Sequence, residues 1–287
     1  MSSLPRATTI PKPWRSLQEE IDARIARIPT RLNEYGFDAF GLEPSLTRWM
    51  TLPMVWVYRN YLRVQTRGIE RVPEGPVLLI ANHAGNTFAW DAAMLAVAML
   101  LEAEPPRIVR GMGEYWLPTV PWVNELMVRG GSVVGTRKNC VDLLNNEEAV
   151  IAFPEGVRGM NKLIWERYQL QEFGHGFMRL ALETGAPIVP IAVVGSEEQA
   201  PGIANLRPLA RLLRMPAFPI TLTFPALGLL GLVPLPVKYN IYFGEPMHFE
   251  GDADEDDAAV ERRVEEVRAA ISGLLKRGLA ERTGVFR

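Results

Sequence analysis

The chain has 287 residues, 48% apolar and 22% charged, which is enough for one large domain or two small ones and too apolar for extensive disorder. With 31 basic and 33 acidic residues the formal charge is −2, so there is no basic surplus to neutralise a nucleic-acid backbone, and that class of partner is set aside. The single cysteine, Cys140, excludes an internal disulfide and a cysteine-based metal cluster, and it fits a reducing compartment.

Met1 to Arg31 carries charge throughout and shows no secretory signal pattern, so no leader is expected. Within residues 14–33, Leu17, Ile21, Ile25, Ile28 and Leu32 recur at helical steps, with Pro29 placed to bend or break the helix. A second helix is predicted over 44–61, where Trp49, Trp56, Tyr58 and Tyr61 accompany Leu and Met. It reads either as a helix packed on the core or as an interfacial helix with aromatic anchors. Strands are predicted at Arg63–Arg67, Pro76–Ala81, Arg107–Arg110, Ser132–Val134, Ala149–Phe153 and Pro187–Val194, with helices between them, including Asp91–Leu101 and Gly176–Thr184. Gly185 supplies a C-terminal stop for the latter. Strands alternating with helices predict an α/β layered fold with a largely parallel sheet. Ile220–Phe224 and Val237–Phe243 read as two more strands.

The uncharged run between Arg214 and Lys238 is long enough to cross a bilayer, but it holds Pro216, Pro219, Pro225, Pro234 and Pro236. A spanning helix must satisfy its own backbone hydrogen bonds, so no transmembrane helix is predicted there. A final helix follows the acidic stretch Asp252–Asp257, whose charge suits a helix N-terminus.

Three segments combine polar residues with the end of a predicted strand, the position where open α/β sheets form sites. In Asn82-His83-Ala84-Gly85-Asn86-Thr87-Phe88-Ala89-Trp90-Asp91, the loop can return Asp91 to His83. A carboxylate on a histidine fixes its tautomer and strengthens it as a base. The plainer reading is a strand-end histidine beside an N-cap aspartate. In Phe153-Pro154-Glu155-Gly156-Val157-Arg158-Gly159, the glycines admit a ligand to the backbone and Arg158 can grip a phosphate; a polar turn with a surface ion pair is the alternative. In Gly130 to Asn139, a short strand ends in Arg137 and Lys138 ahead of a predicted helix start. This suits an anion or, more simply, a solvated basic turn.

In order along the chain these blocks resemble the glycerolipid acyltransferase superfamily, which includes the 1-acylglycerol-3-phosphate acyltransferases, over about residues 60–250. His83 and Asp91 match the first block, Arg137 the second, and Phe153, Pro154, Glu155, Gly156 and Arg158 the third. The apolar, proline-bearing strand Ala186–Ala192 matches the fourth. The resemblance implies the family's α/β acyltransferase fold: a largely parallel central sheet flanked by helices, with N-terminal and C-terminal helical extensions. It divides the chain into an N-terminal helical segment open to membrane association (1–60), an acyltransferase domain (61–250) and a C-terminal helix (251–287). It implies that His83 is the general base and Asp91 its orienting partner. Arg137, Glu155, Gly156 and Arg158 would bind the acceptor head group, and Pro187 and Pro190 would shape the neighbouring strand. Acyl-CoA or acyl-carrier protein would be the donor and a lysophospholipid or glycerolipid hydroxyl the acceptor, at the cytoplasmic face of a membrane, with no cofactor and no metal.

Two departures from the family pattern stand out. Seven residues separate His83 from Asp91 where the family usually has four, so the loop must bulge for the pair to meet. Val157 and Gly159 stand where Thr and Ser are common, which removes two hydroxyl donors and leaves room for a neutral or amino-containing lipid acceptor. Hydrolysis by a thioesterase or lipase and non-catalytic lipid binding are the other readings, and the chain lacks a Gly-x-Ser-x-Gly elbow. His175, His248 and Cys140 are read as structural. The apolar segment Ala226–Leu235, with the helix near Trp49 and Trp56, is expected to enter one leaflet.

Overall fold

The computed structural model describes residues 12–113 and 122–287; the first eleven residues, part of the stretch read above for a leader, lie outside them. The first helix, α1 (Lys12–Ile25), buries Ile21 and packs Leu17 and Ile25 on the core. It stops short of the predicted residue 33, because Pro29 disfavours helical backbone before it and residues 26–28 already form a turn. Helix α2 (Pro44–Trp56) runs on as a single π-turn, Val57–Tyr61, closed by Leu62 N–H on the Val57 carbonyl at 2.8 Å. Its inner side buries Val55 and Tyr58, while Trp49 and Trp56 remain exposed.

Then follow β1 (Gln65–Arg67), β2 (Val77–Ala81), α3 (Trp90–Leu101), β3 (Arg110–Gly113), α4 (Val123–Arg129), β4 (Val133–Val134), α5 (Arg137–Asn145), β5 (Ala149–Ala152), α6 (Gly156–Met160), α7 (Gly176–Thr184) and β6 (Ile188–Val194). The chain ends with β7 (Gly202–Asn205), α8 (Arg207–Leu212), β8 (Pro219–Thr221), β9 (Asn240–Phe243) and α9 (Asp257–Glu281). Among the described residues seven strands form one sheet in the order β1-β9-β6-β2-β5-β3-β4. The pairings from β6 through β4 are parallel, and β9 joins β6 antiparallel. The fold is the expected α/β one with a largely parallel sheet.

Both faces of the sheet are covered, which explains the unbroken apolar runs of its central strands. Val77, Leu79 and Ala81 of β2 face the core built with α1, α2 and α3. Leu78 and Ile80 face the core built with α5, α7 and α9. Fully burying one such leucine or isoleucine contributes about 1.5–3 kcal/mol. Helix α9 comes close enough to the sheet that a Cβ on Gly278 would lie 2.7 Å from both Tyr242 and Val194. Its N-cap is Asp256, which accepts from the Ala259 N–H at 2.7 Å.

Three predicted strands shift. The strand expected at Arg107–Arg110 runs instead from Arg110 to Gly113. Glycines 111 and 113 hid it, yet a Cβ on Gly111 would lie 3.0 Å from Ser132 Oγ, so the bare backbone is what lets the next segment pack. The strand expected at Ile220–Phe224 becomes Pro219–Thr221 and pairs with β7 in a separate two-stranded sheet; the one expected at Val237–Phe243 shortens to Asn240–Phe243. No helix among the described residues is long and apolar enough to cross a membrane.

Candidate active site

His83 stands two residues beyond the end of β2, and Asp91 lies in the first turn of α3. The seven-residue loop between them does bulge. Gly85 takes φ +136°, and a Cβ there would lie 2.4 Å from the Phe88 carbonyl oxygen; Asn86 takes φ +52°. The outcome is a hydrogen bond of 2.8 Å between His83 Nδ1 and Asp91 Oδ2. Asp91 is fully buried and also accepts the Ala84 N–H on Oδ2 and the Ala92 N–H on Oδ1, each at 2.8 Å. A carboxylate with those donors accepts from histidine, so in the neutral ring Nδ1 carries the proton and Nε2 keeps a lone pair. Nε2 has no hydrogen-bond partner among the described residues. The Phe153 ring stacks on the imidazole, with centroids 4.1 Å apart and 22° between planes.

A pocket of about 360 Å³ opens beside this pair, at the carboxyl ends of the parallel strands β2, β3, β4 and β5. His83, Arg137 and Gly156 line it, so the structure brings these three predicted residues together. Arg137 opens α5 beneath the N-cap Thr136, and its guanidinium meets Glu183 at 2.7 Å and Asp254 at 3.5 Å on the surface. Arg158 does not line the pocket; it pairs with Glu172 at 2.6 Å. Glu155 lies beneath the loop that joins His83 to Asp91. Its buried carboxylate accepts the His83 N–H at 2.9 Å and the Gln171 N–H at 2.7 Å, and takes Lys162 Nζ at 3.2 Å. It acts on the His83 backbone, with its oxygens occupied by protein donors.

The Acyltransferase family model matches residues 63–194, which contain all of these segments. An uncharacterized protein of Mycobacterium tuberculosis is 37% identical over 260 residues, covering 88% of this chain and 72% of the relative. The chain belongs to the glycerolipid acyltransferase superfamily. A chloroplastic 1-acyl-sn-glycerol-3-phosphate acyltransferase of Brassica napus is 24% identical over 158 residues, covering 50% of this chain and 42% of that one. The crystal structure of the 1-acyl-sn-glycerophosphate (LPA) acyltransferase of Thermotoga maritima superposes with a TM-score of 0.54 at 17% identity, covering 84% of this chain and 80% of that one, and so shares the fold.

Sequence reasoning about this acyltransferase missed the ionic cluster under the His83 loop. Lys162 is buried and bridges Glu155 to Glu197, whose Oε1 it reaches at 2.8 Å. Burial pushes the Glu197 carboxyl up to about 7 despite that contact. Burial also pulls on Lys162, but the charges of Glu197 and Glu155 outweigh it and hold the ammonium above its usual range. The missing hydroxyl at Gly159 has a steric reason, since a Cβ there would lie 2.5 Å from Glu155 Cβ. Arg179 on α7 also lines the pocket, anchored on Asp257 at 2.8 Å; the only hint of it was the Gly174-His175-Gly176 start of its helix. His175 binds Glu261 of α9 at 2.5 Å, a structural contact. Burial pushes the Cys140 thiol up to about 11, so it stays protonated at neutral pH. Among the described residues no group of three or more His, Cys, Asp or Glu is placed to hold a metal ion.

Proposed function

We propose that this acyltransferase moves a fatty acyl group from acyl-CoA or acyl-carrier protein to a hydroxyl of a lysophospholipid or related glycerolipid at a membrane surface. The observation that carries the reading is the His83–Asp91 pair beside the pocket, with no partner on Nε2 among the described residues. Nε2 takes the acceptor hydroxyl proton as that oxygen attacks the thioester carbonyl carbon. The tetrahedral intermediate collapses with loss of the carbon–sulfur bond, and the imidazolium returns its proton to the departing thiolate. The thioester is already activated, so no covalent enzyme intermediate is required. Holding both substrates in line supplies much of the remaining acceleration.

Arg137 and Arg179 are the cations of the pocket lining, and both are held by surface carboxylates that a substrate phosphate can replace. The backbone of Gly156, at φ +55°, borders the same space. Glu155 serves the acceptor site by fixing the histidine, and Arg158 serves it only if it leaves Glu172. A second, smaller pocket of about 280 Å³, whose lining includes Met127, Val128, Val133 and Val134, shares Gly113 with the first and suits an acyl chain. The proposed location is peripheral, at the cytoplasmic face of a membrane; the exposed Trp49, Trp56, Leu227, Leu229 and Leu230 support it.

An acceptor without phosphate is the second reading, favoured by the position of Arg158 outside the pocket. A panel of acceptors decides between them: lysophosphatidic acid, a lysophospholipid with a zwitterionic head, a diglyceride and an amino-containing lipid, each with acyl-CoA and with acyl-carrier protein. Transfer to the phosphate-bearing acceptors that weakens in Arg137→Ala supports the first reading. Transfer to the neutral or amino lipid with Arg137→Ala unaffected would replace it with the second.

A further inference from the structure

Residues 200–234 leave the main sheet after β6 and return to it. The excursion closes at a neck, where the Leu235 N–H donates to the Gln199 carbonyl at 2.7 Å. Inside it β7 pairs with β8, Leu206 N–H reaches the Phe218 carbonyl at 2.9 Å, and Thr223 Oγ1 donates to the Gly231 carbonyl at 3.0 Å. It is a built substructure, yet it covers few of its own apolar side chains. Nine of the twenty exposed large apolar side chains among the described residues fall between Ile203 and Val233, at 41–82% exposure. Leu212, Leu229 and Leu230 are the most open of them. Apolar exposure of this density marks an interaction surface.

Charge says what the surface meets. Between Glu198 and Glu245 the sequence contains no acidic residue, in a chain that has 33 of them. Arg207, Arg211 and Arg214 follow helical spacing along α8 and its end, and all three are exposed. Among the described residues none of them forms an ion pair, whereas Arg137, Arg158 and Arg179, in the pocket and near it, all do. Unpaired guanidinium groups beside open leucines suit a phosphate-bearing lipid surface, with cations at head-group level and apolar side chains below. The apolar tip from Met215 to Val237 carries no charge at all, which favours hydrocarbon over an acidic protein as the occupant.

The base of the excursion is fastened to the catalytic loop. Asn86, between His83 and Asp91, donates from Nδ2 to the Ala200 carbonyl at 2.9 Å and to the Lys162 carbonyl at 3.3 Å. A Cβ on Gly202 would lie 2.9 Å from Asn86 Oδ1. On the returning side, Tyr61 Oη donates to the Pro234 carbonyl at 2.8 Å, and the exposed Trp56 stacks against Tyr61.

We infer that residues 200–234 are the membrane-seating surface of the protein, selecting an anionic leaflet through Arg207, Arg211 and Arg214 and entering it shallowly through Leu229 and Leu230. Because the neck is tied to Asn86, the seated leaflet lies beside the catalytic loop. The purpose of the surface rests on the proposed acyl transfer to a lipid; its existence does not.

The test is co-sedimentation of the full chain with phosphatidylcholine vesicles and with vesicles of equal parts phosphatidylcholine and phosphatidylglycerol. The wild type should prefer the anionic vesicles, and less so at high salt. Each basic residue near an anionic surface contributes roughly fivefold, so R207Q/R211Q/R214Q should lose on the order of a hundredfold on anionic vesicles and little on neutral ones. L229S/L230S should weaken binding to both. Acyl transfer to a detergent-dispersed acceptor should be unchanged in both variants. Equal wild-type binding to the two vesicle types, or a preference that survives in the arginine variant, would overturn the inference. So would loss of acyl-carrier-protein binding in the arginine variant with vesicle binding intact. Vesicle binding as expected without any acyl transfer would instead overturn the reaction and leave the surface standing.

Discussion

The groups beneath the His83 loop and the groups at the pocket rim are built in different ways. Beneath, Glu155, Lys162 and Glu197 have almost no solvent exposure, and their charges are shared among one another and the backbone of His83, Tyr168 and Gln171. At the rim, the Arg137 side chain is 53% exposed and rests on Glu183 and Asp254, carboxylates that are themselves in water. Charges buried in low dielectric interact strongly and tolerate no missing partner, whereas surface pairs are worth about 0–1 kcal/mol and exchange easily. The loop that carries the proposed base is therefore held in one geometry by buried partners. Arg137, proposed to meet a charged head group, is held by contacts that a substrate can displace.

Breaking the buried side should have the larger effect on folding. Lys162→Met leaves two carboxylates facing each other without a counter-charge, and should cost about 3–5 kcal/mol in urea unfolding. Adding Glu197→Gln to it should recover part of the loss. A single-variant cost near zero would mean that the cluster does not hold the loop. Gly159→Ala pushes a methyl group against Glu155 and should cost about 1–3 kcal/mol, with a fall in kcat because Glu155 carries the His83 N–H. Unchanged kcat would separate Glu155 from the geometry of the base.

The pH dependence sharpens the same contrast. The Glu197 carboxyl is raised to about 7 from an ordinary 4.5, mainly by burial. The folded state thus binds that proton more tightly than the unfolded chain does. Its contribution favours the fold below pH 4.5 and is withdrawn as pH rises through about 7. Between pH 5 and 8 the wild type should lose stability relative to Glu197→Gln, measured by chemical unfolding at each pH. Parallel curves would show that Glu197 does not titrate in this window.

The smallest effect on folding belongs to the rim. Arg137→Ala should alter stability by no more than about 0.5 kcal/mol. If the acceptor carries phosphate, it should raise the acceptor KM roughly tenfold through loss of a charge-assisted contact, with little change in kcat. Arg158→Ala should change KM less, since Arg158 does not line the pocket.

Much of the fold was legible because its central strands are simple. Every residue of β2 and β6 is buried, and branched apolar runs announce such strands. Helix α7 matched its predicted limits because Gly185, at φ +69°, ends it where the pattern does. β7, Gly202-Ile203-Ala204-Asn205, was not legible, since two small residues and a polar one carry no alternation. Within the candidate site, His83 and Asp91 could be named from order along the chain, and the two meet at 2.8 Å across the longer loop. The direction of Glu155 could not be read, because the same glutamate in a glycine-containing turn can face a ligand or the loop beneath it. Lys162 looks like any solvated lysine in a polar stretch; its partner Glu197 lies 35 residues further on.

The most direct test of His83 as the base is acyl transfer from acyl-CoA or acyl-carrier protein to the lipid acceptor panel, comparing wild type with His83→Ala at equal fold stability. The proposed chemistry predicts transfer to an acceptor that falls by about 10²–10⁴-fold in the variant, the usual worth of a positioned base. Thiol release that is the same with and without His83 would contradict it.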